Sequence, residues 1–220
     1  MALTIVQMMH LADSALPVGG FAFSSGLEAA VKSGMVSTRP SLVRYLKGVL
    51  KQWGAFELPF IGSFYNDGSP EELLRYDRML LTPAMRKASI DQARGWRRVF
   101  ADFFPALSTE KLVSRFVDAG AAVHYVPLYA LSLKMAGATE EQIKELCLFT
   151  QLRDQVSAAV RLGLIGPSAA QSIQSEVEQG IGAIVAASEN KISDDARRST
   201  PVMDVAQMLH PMLYTKLFQN

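Results

Sequence analysis

The sequence predicts an all-α protein, a single helical bundle of about eight to ten helices with a C-terminal docking tail. Helix-start signals recur along the chain, whereas no alternating strand pattern of useful length and no internal repeat is present. With 220 residues, 49% of them hydrophobic and 20% charged, the chain is long enough and apolar enough to bury its own core. A wholly disordered chain is therefore excluded.

Helix starts are marked by hydroxyl residues that can cap the first turn. Three of them precede a proline, at Ser69-Pro70, Thr82-Pro83 and Thr200-Pro201. Thr139 with Gln142 forms a capping box that opens a helix over about 140–162. That helix is apolar on more than one side, which predicts a central position in the bundle. Gly34 and Gly137 are typical C-caps.

The end of the chain differs in composition from the rest. A single helix is predicted from Pro167 through Ala187, and the bundle domain is predicted to span residues 1–187. Residues 188–220 are predicted to be a polar tether and a partner-docking segment. The tether, 188–200, has Ile192 as its only sizeable apolar side chain and is expected to bury little, whereas 201–218 places apolar residues at helical spacing.

Charge and cysteine content limit the classes of partner. The chain has 22 Lys and Arg against 21 Asp and Glu, a net charge of +1, so neither nucleic acid nor an anionic membrane is an expected partner. The single cysteine cannot form an internal disulfide, which fits a reducing compartment. No apolar run approaches the roughly 18 residues of a membrane span, and the start lacks the pattern of a secretory signal. The sequence predicts a soluble cytoplasmic protein.

No self-contained catalytic or metal-binding constellation is visible, and neither a metal nor another cofactor is expected. Gly19 and Gly20 lack the lysine of a phosphate-binding loop, and the three histidines are too far apart to share a helix face. Cys147 stands among apolar residues, where a thiol is typically buried and unreactive. Two alternatives stay open: a metal shared between His210 and a partner subunit, and a helical enzyme of heme-oxygenase-like architecture that uses Cys147 or His10.

Three ordered blocks resemble one known family. Residues 16–28 read LPVGGFAFSSGLE, which resembles the LPxGG(F/Y)xxSxGLE signature of the UreF family of urease accessory proteins. Residues 153–167 read RDQVSAAVRLGLIGP, similar to a form of that family's second block. The tail, with Pro201, Asp204, His210 and the run LYTKLF at 213–218, is similar to the family's closing motif.

The resemblance implies an all-α, typically homodimeric chaperone that is not an enzyme. Such a protein binds UreD (also called UreH), recruits the GTPase UreG and regulates its GTP hydrolysis, and so assists nickel insertion into apo-urease. An arginine finger supplied by Arg161 is an alternative route to that regulation. The positions implied in partner contacts are Pro17, Gly19, Gly20, Phe21, Ser24, Gly26, Leu27, Glu28, Arg161, Asp204, His210, Tyr214, Lys216, Leu217 and Phe218.

Two further expectations concern how accessible these positions are. Phe21 and Glu28 are expected at the surface of a turn, where the fold tolerates their substitution, with Glu28 forming an i, i+4 pair with Lys32. The segment 201–218 is expected to be loosely held in the free chain and to become ordered on UreD.

Overall fold

Helices account for all the regular structure in the computed structural model, which describes residues 3–219. The α-helices are α1 Ile5–Leu11, α2 Leu27–Lys32, α3 Arg39–Tyr65, α4 Pro70–Met79, α5 Pro83–Phe103, α6 Glu110–Asp118, α7 Tyr125–Met135, α8 Glu140–Arg161, α9 Pro167–Glu178, α10 Ile181–Ala186 and α11 Pro201–Leu209. Short 3-10 turns lie at Gly20–Ala22, Ser193–Asp195 and His210–Met212. The all-α prediction is confirmed; α2 and α10 are short, with six residues each.

The predicted N-caps can be checked bond by bond. The side-chain oxygens of Ser69, Thr82 and Thr139 each accept a hydrogen bond from the backbone N–H three residues on, at 3.3, 3.1 and 3.2 Å. Thr200 also precedes a helix, but its hydroxyl makes no cap and instead donates to the carbonyl of Gly48 at 3.4 Å. The start of α11 is therefore tied to α3 by a tertiary contact.

Glycines end several helices, and one of them breaks a helix that the sequence predicts as continuous. Gly34 and Gly137 have φ of 79° and 91°, the left-handed C-cap geometry expected for them. The single helix predicted over 167–187 is wrong, because the α-helical hydrogen-bond pattern is interrupted at Gln179 and Gly180, although both keep helical dihedrals, and it restarts as α10. Glycine is a poor helix former, and the break lets Ile181 and Val185 pack against α3 and α8.

The centre of the bundle is formed by α3 and α8, which pack on each other and on α7. Every residue of α3 from Phe56 to Phe64 is buried, and α8 buries Leu148, Leu152 and Val156. The central position predicted for the helix over 140–162 is confirmed. None of the helices within residues 3–219 combines the length and apolar character that crossing a bilayer requires.

The segment 188–200 makes more contacts than its composition predicts. Ser188 and Ser193 are buried, and the N–H of Ser193 donates to Ser63 Oγ at 2.8 Å. The N–H groups of Ser199 and Thr200 both donate to Gln52 Oε1 at 2.8 Å. Only Ser188 and Ser193 of this segment are buried, so it buries little, as expected. It is nevertheless attached to α3 through its backbone, by bonds that side-chain polarity does not report.

The division of the chain into 1–187 and 188–220 stays a prediction. Its outermost positions, residues 1, 2 and 220, lie outside the part that the structure describes. Within the described part, the two units meet along α3, where the N–H of Arg197 donates to the carbonyl of Ala55 at 2.9 Å.

Candidate partner-binding site at the C-terminal tail

The loop that precedes α2 is seated on α5 and α8 at two glycines. A Cβ at Gly95 of α5 would meet the carbonyl of Val18 and lie 3.0 Å from the carbonyl oxygen of Pro17. A Cβ at Gly20 would lie 2.5 Å from Asp154 Oδ2 on α8. Both approaches are closer than a side chain permits, so these glycines allow the loop backbone to pack directly on the bundle.

A third glycine brings the start of α2 under α11. Gly26 has a φ of 95°, and a Cβ there would lie 3.0 Å from Gln207 Cγ and 3.3 Å from Ala206 Cβ. The left-handed backbone and the close contact both favour glycine at this position. As a result, α2 and the C-terminal tail, far apart in sequence, lie in contact.

The buried side chain of Glu28 binds the backbone of the tail. Its side chain has no exposed surface and accepts hydrogen bonds from the backbone N–H groups of Leu217 and Phe218, at 2.7 and 3.2 Å. His210 Nε2 lies 2.9 Å from Glu28 Oε2, and Lys32 Nζ lies 2.9 Å from Oε1. The i, i+4 pair with Lys32 is confirmed, but the expectation that Glu28 lies at the surface is wrong.

The hydrogen bonds to Glu28 keep its carboxylate charged. Burial by itself raises the pKa, but the N–H of Leu217, the side chains of Lys32 and His210, and the N–H of Phe218 together outweigh burial and lower the pKa to about 2. The carboxylate is therefore ionised at neutral pH, as a fourfold acceptor must be.

Acidification is expected to loosen the tail. Because the pKa falls from 4.5 to about 2 on folding, the stabilisation from Glu28 is present above pH 4.5 and is lost as the pH falls toward 2. Amide exchange of residues 210–219 measured at pH 6, 4 and 3 tests this, with Glu28→Gln as the control that cannot take up a proton there. Equal acceleration of exchange in both proteins would contradict the assignment.

Arg161 joins the loop to the tail. Its guanidinium carbon lies 3.6 Å from the ring centroid of Phe21 and 4.3 Å from that of Phe218, and it donates a hydrogen bond to the carbonyl of Phe21. Lys32 likewise donates to the carbonyl of Thr215. We call Phe21, Glu28, Lys32 and Arg161 the tail seat.

One side of the tail packs on the bundle, and the other side faces solvent. Met203, Ala206, His210 and Phe218 are buried. Six large apolar side chains point away from the bundle and are 48% to 103% exposed; these residues, the tail face, are Val202, Val205, Met208, Met212, Tyr214 and Leu217. The expectation of a loosely held segment differs from the structure, in which the tail is seated on α2 and its outer side remains apolar.

Asp204 also makes an internal contact. It is 7% exposed and pairs with Arg198, whose guanidinium lies 4.9 Å from the ring centroid of Phe56 on α3. Arg198 was missed in the sequence because it stands in a run of polar residues, where no local pattern distinguishes a half-buried arginine from an exposed one.

The residues implied in partner contacts thus divide into two groups. Those exposed are Pro17, Gly19, Phe21, Tyr214, Lys216 and Leu217, and those buried are Ser24, Gly26, Leu27, Glu28, Asp204, His210 and Phe218, with Gly20 and Arg161 between these extremes. In this arrangement the buried group connects the loop, the tail seat and the tail, and it is not accessible to a partner. Their role in partner binding stays a prediction.

The histidines and the cysteine contact other residues of the same chain. The exposed His10 has its ring centroid 4.4 Å from that of Phe103, with the two rings tilted by 47°, and the buried His124 has Nε2 2.6 Å from Asp77 Oδ1. Burial raises the pKa of the Cys147 thiol, which disfavours a nucleophilic thiolate. Among residues 3–219, no three His, Cys, Asp or Glu side chains are grouped to hold a metal ion. His210 has no exposed surface through which to share one with a partner.

Comparison with known proteins identifies relatives over nearly the whole chain. Residues 36–178 match the sequence model of the UreF family. The chain is 32% identical to Urease accessory protein F of Oryza sativa subsp. japonica, over 95% of this chain and 82% of the rice protein. It is 30% identical to Urease accessory protein F of Arabidopsis thaliana, over 95% and 90%. Urease accessory protein UreF of Trichodesmium erythraeum is 28% identical, over 98% and 96%.

Proposed function

Because this chain belongs to the UreF family and is a urease accessory protein of that kind, we propose that it is a non-catalytic, cytoplasmic assembly factor that binds UreD (UreH) and recruits the GTPase UreG. The resulting complex would assist nickel insertion into apo-urease. The non-catalytic role is supported by the relatives, which are named accessory proteins, and by the buried, unreactive state of Cys147.

The tail face is the observation that carries this proposal. Its six large apolar side chains are all exposed and all lie within residues 202–217. Apolar side chains scattered singly over a surface need no partner, but a cluster of this size is typical of a protein–protein interface. The tail seat fixes the opposite side of the same segment, so the tail face is presented to solvent. We assign the tail face to UreD.

Arg161 is assigned a positioning role in this complex. Its guanidinium is packed between the rings of Phe21 and Phe218 and bonds the carbonyl of Phe21. An arginine finger has to leave such contacts to reach a phosphate in another protein. We therefore propose that the chain regulates GTP hydrolysis by holding UreG in the complex, with Arg161 keeping the tail in place.

Homodimerisation, implied by the family, is also part of the proposal. Apolar side chains exposed outside the tail, Ile5, Val6 and Met9 on α1, offer a surface on which a second copy can pack. Sedimentation equilibrium of the purified chain tests this directly. A monomer at all concentrations would contradict the dimer without affecting the assignment of the tail face.

Polar substitutions on the tail face are expected to weaken UreD binding without harming the fold. Met212 and Tyr214 are 80% and 103% exposed, so a Met212→Ser/Tyr214→Ser protein should keep its free energy of unfolding to within about 0.5 kcal/mol. Its affinity for purified UreD, measured by calorimetry, should fall at least about tenfold, because exposed apolar anchors dominate interface energies.

The matched control is Val117→Ser, which removes a 67% exposed apolar side chain from α6. It should bind UreD as the wild type does. In cells deleted for the native copy, the double variant should fail to activate urease, and the control should succeed. Unchanged UreD binding by the double variant would show that the interface lies elsewhere.

A further inference from the structure

A cavity with a mixed apolar and polar lining lies where α3, α5 and α8 meet the start of the tail. Its volume is about 90 Å³. A water molecule needs about 10–15 Å³ by this measure, so the cavity has room for several waters or for a ligand of a few heavy atoms. Its polar lining residues include Gln52, Glu57, Tyr76, Gln92, Gln151 and Arg198.

Two amide groups in this lining are hydrogen-bond donors that lack an acceptor. Gln52 is 3% exposed, and its Nε2 has no partner among the described residues. Its Oε1 accepts hydrogen bonds from two backbone N–H groups. If the amide oxygen and nitrogen were exchanged, the NH2 group would face these two donors, so the orientation of the amide is defined. Gln151 Nε2 is buried and unpartnered as well. Buried donors are normally satisfied, so the cavity is built for a ligand that accepts hydrogen bonds.

Glu57 supplies the acidic group of the same cavity. It is 8% exposed and accepts a hydrogen bond from the hydroxyl of Tyr76 at 2.9 Å. The charged or titratable groups that act on it are Tyr76 from α4, the thiol of Cys147 from α8 and Arg198 from the C-terminal segment, whose own charge is paired with Asp204. Burial raises the pKa of Glu57 to about 7, against the opposing effects of Tyr76 and Arg198.

We propose that this cavity binds a small oxygen anion, a carboxylate of three or four heavy atoms, whose oxygens accept from the side-chain amides of Gln52 and Gln151. Arg198, although paired with Asp204, still lowers the pKa of Glu57 and so favours negative charge in the cavity. A second negative charge next to ionised Glu57 is unfavourable, so Glu57 faces the anion as a neutral carboxyl group and, above pH 7, takes up a proton from solvent as the anion enters. No bond is made or broken in the ligand. The site needs neither UreD nor UreG, so the inference is independent of the proposed function.

Calorimetric titration of the purified full-length chain with sodium formate and sodium acetate, at pH 6.5 and matched ionic strength, tests the ligand class. Saturable binding of either anion is the expected result. Acetamide has the shape of acetate without its charge and should show no saturable binding. The proposal is overturned if neither anion binds, or if acetamide binds as tightly as acetate.

Substitutions locate the site. Gln52→Glu and Gln151→Glu each replace an unpartnered donor with an acceptor and should abolish binding, whereas Gln171→Glu adds the same charge on the exposed side of α9 and should leave binding unchanged. If Gln52→Glu does not fold, Gln151→Glu decides the matter alone. Wild-type affinity in Gln151→Glu would overturn the assignment to this cavity.

The pH dependence of anion binding tests the role of Glu57, because a Glu57 with a purely structural role would not affect it. Binding that takes up one proton should weaken about tenfold for each pH unit above 7. In Glu57→Gln, which keeps an acceptor for Tyr76 but cannot titrate, the affinity should be the same at pH 6.5 and 8.5. An unaltered pH dependence in that variant would overturn the role of Glu57.

Discussion

Replacing Glu28 with alanine is expected to destabilise the chain by about 3 to 5 kcal/mol and to release the tail from α2. The substitution leaves two backbone N–H groups, at Leu217 and Phe218, without their acceptor. It also leaves the fully buried His210 ring and the Lys32 ammonium without the carboxylate that they contact. Each unsatisfied buried polar group costs about 1 to 3 kcal/mol. The decrease in the free energy of unfolding is therefore larger than the removed side-chain contacts alone would cause.

Urea unfolding and amide exchange measure the two parts of this result separately. The midpoint of unfolding should fall, and exchange of residues 210–219 should accelerate more than exchange of α3 or α8. Glu145→Ala, which removes an exposed glutamate from α8, is the matched control and should change neither. Full amide protection of 210–219 in Glu28→Ala would show that the tail is held by its apolar side chains and not by this carboxylate.

Replacing Gly95 with alanine is expected to cost about 1 to 3 kcal/mol, although alanine is the better helix former. The added methyl group meets backbone atoms of Pro17 and Val18, which cannot turn aside as a flexible side chain would. The loop over 16–20 must therefore lift from α5. Since Phe21 follows this loop and packs on Arg161, the loss should spread to the tail seat.

Gly182→Ala is the matched control, because a Cβ there meets nothing within 4 Å and Gly182 also lies in a helix. It should stabilise the protein by up to about 1 kcal/mol. Thermal unfolding of both variants, with binding to UreD as a second measurement, distinguishes the loss of loop packing on α5 from the gain in helix propensity. Similar stabilisation by both substitutions would mean that the loop does not rest on Gly95.

Local patterns predicted the helical elements well. The caps at Ser69, Thr82 and Thr139 and the burial of Cys147 depend on residues within one or two helical turns, and the structure confirms them. The same patterns failed at Gly180, where packing of α10 against α3 and α8 outweighs helix continuity. The three motif blocks were sufficient to identify the family, which the comparisons confirm.

By itself, then, the sequence determined the all-α class, most helix starts and the family of this protein. Only the tertiary structure decided which polar residues are buried. Glu28 has the local sequence of an exposed helical glutamate, yet it is buried because His210, 182 positions away, and the backbone of the tail close over it. Gln52 and Glu57 face a cavity for the same reason. Local patterns report contacts between near neighbours in the chain, whereas burial of a charge is decided by segments that only folding brings together.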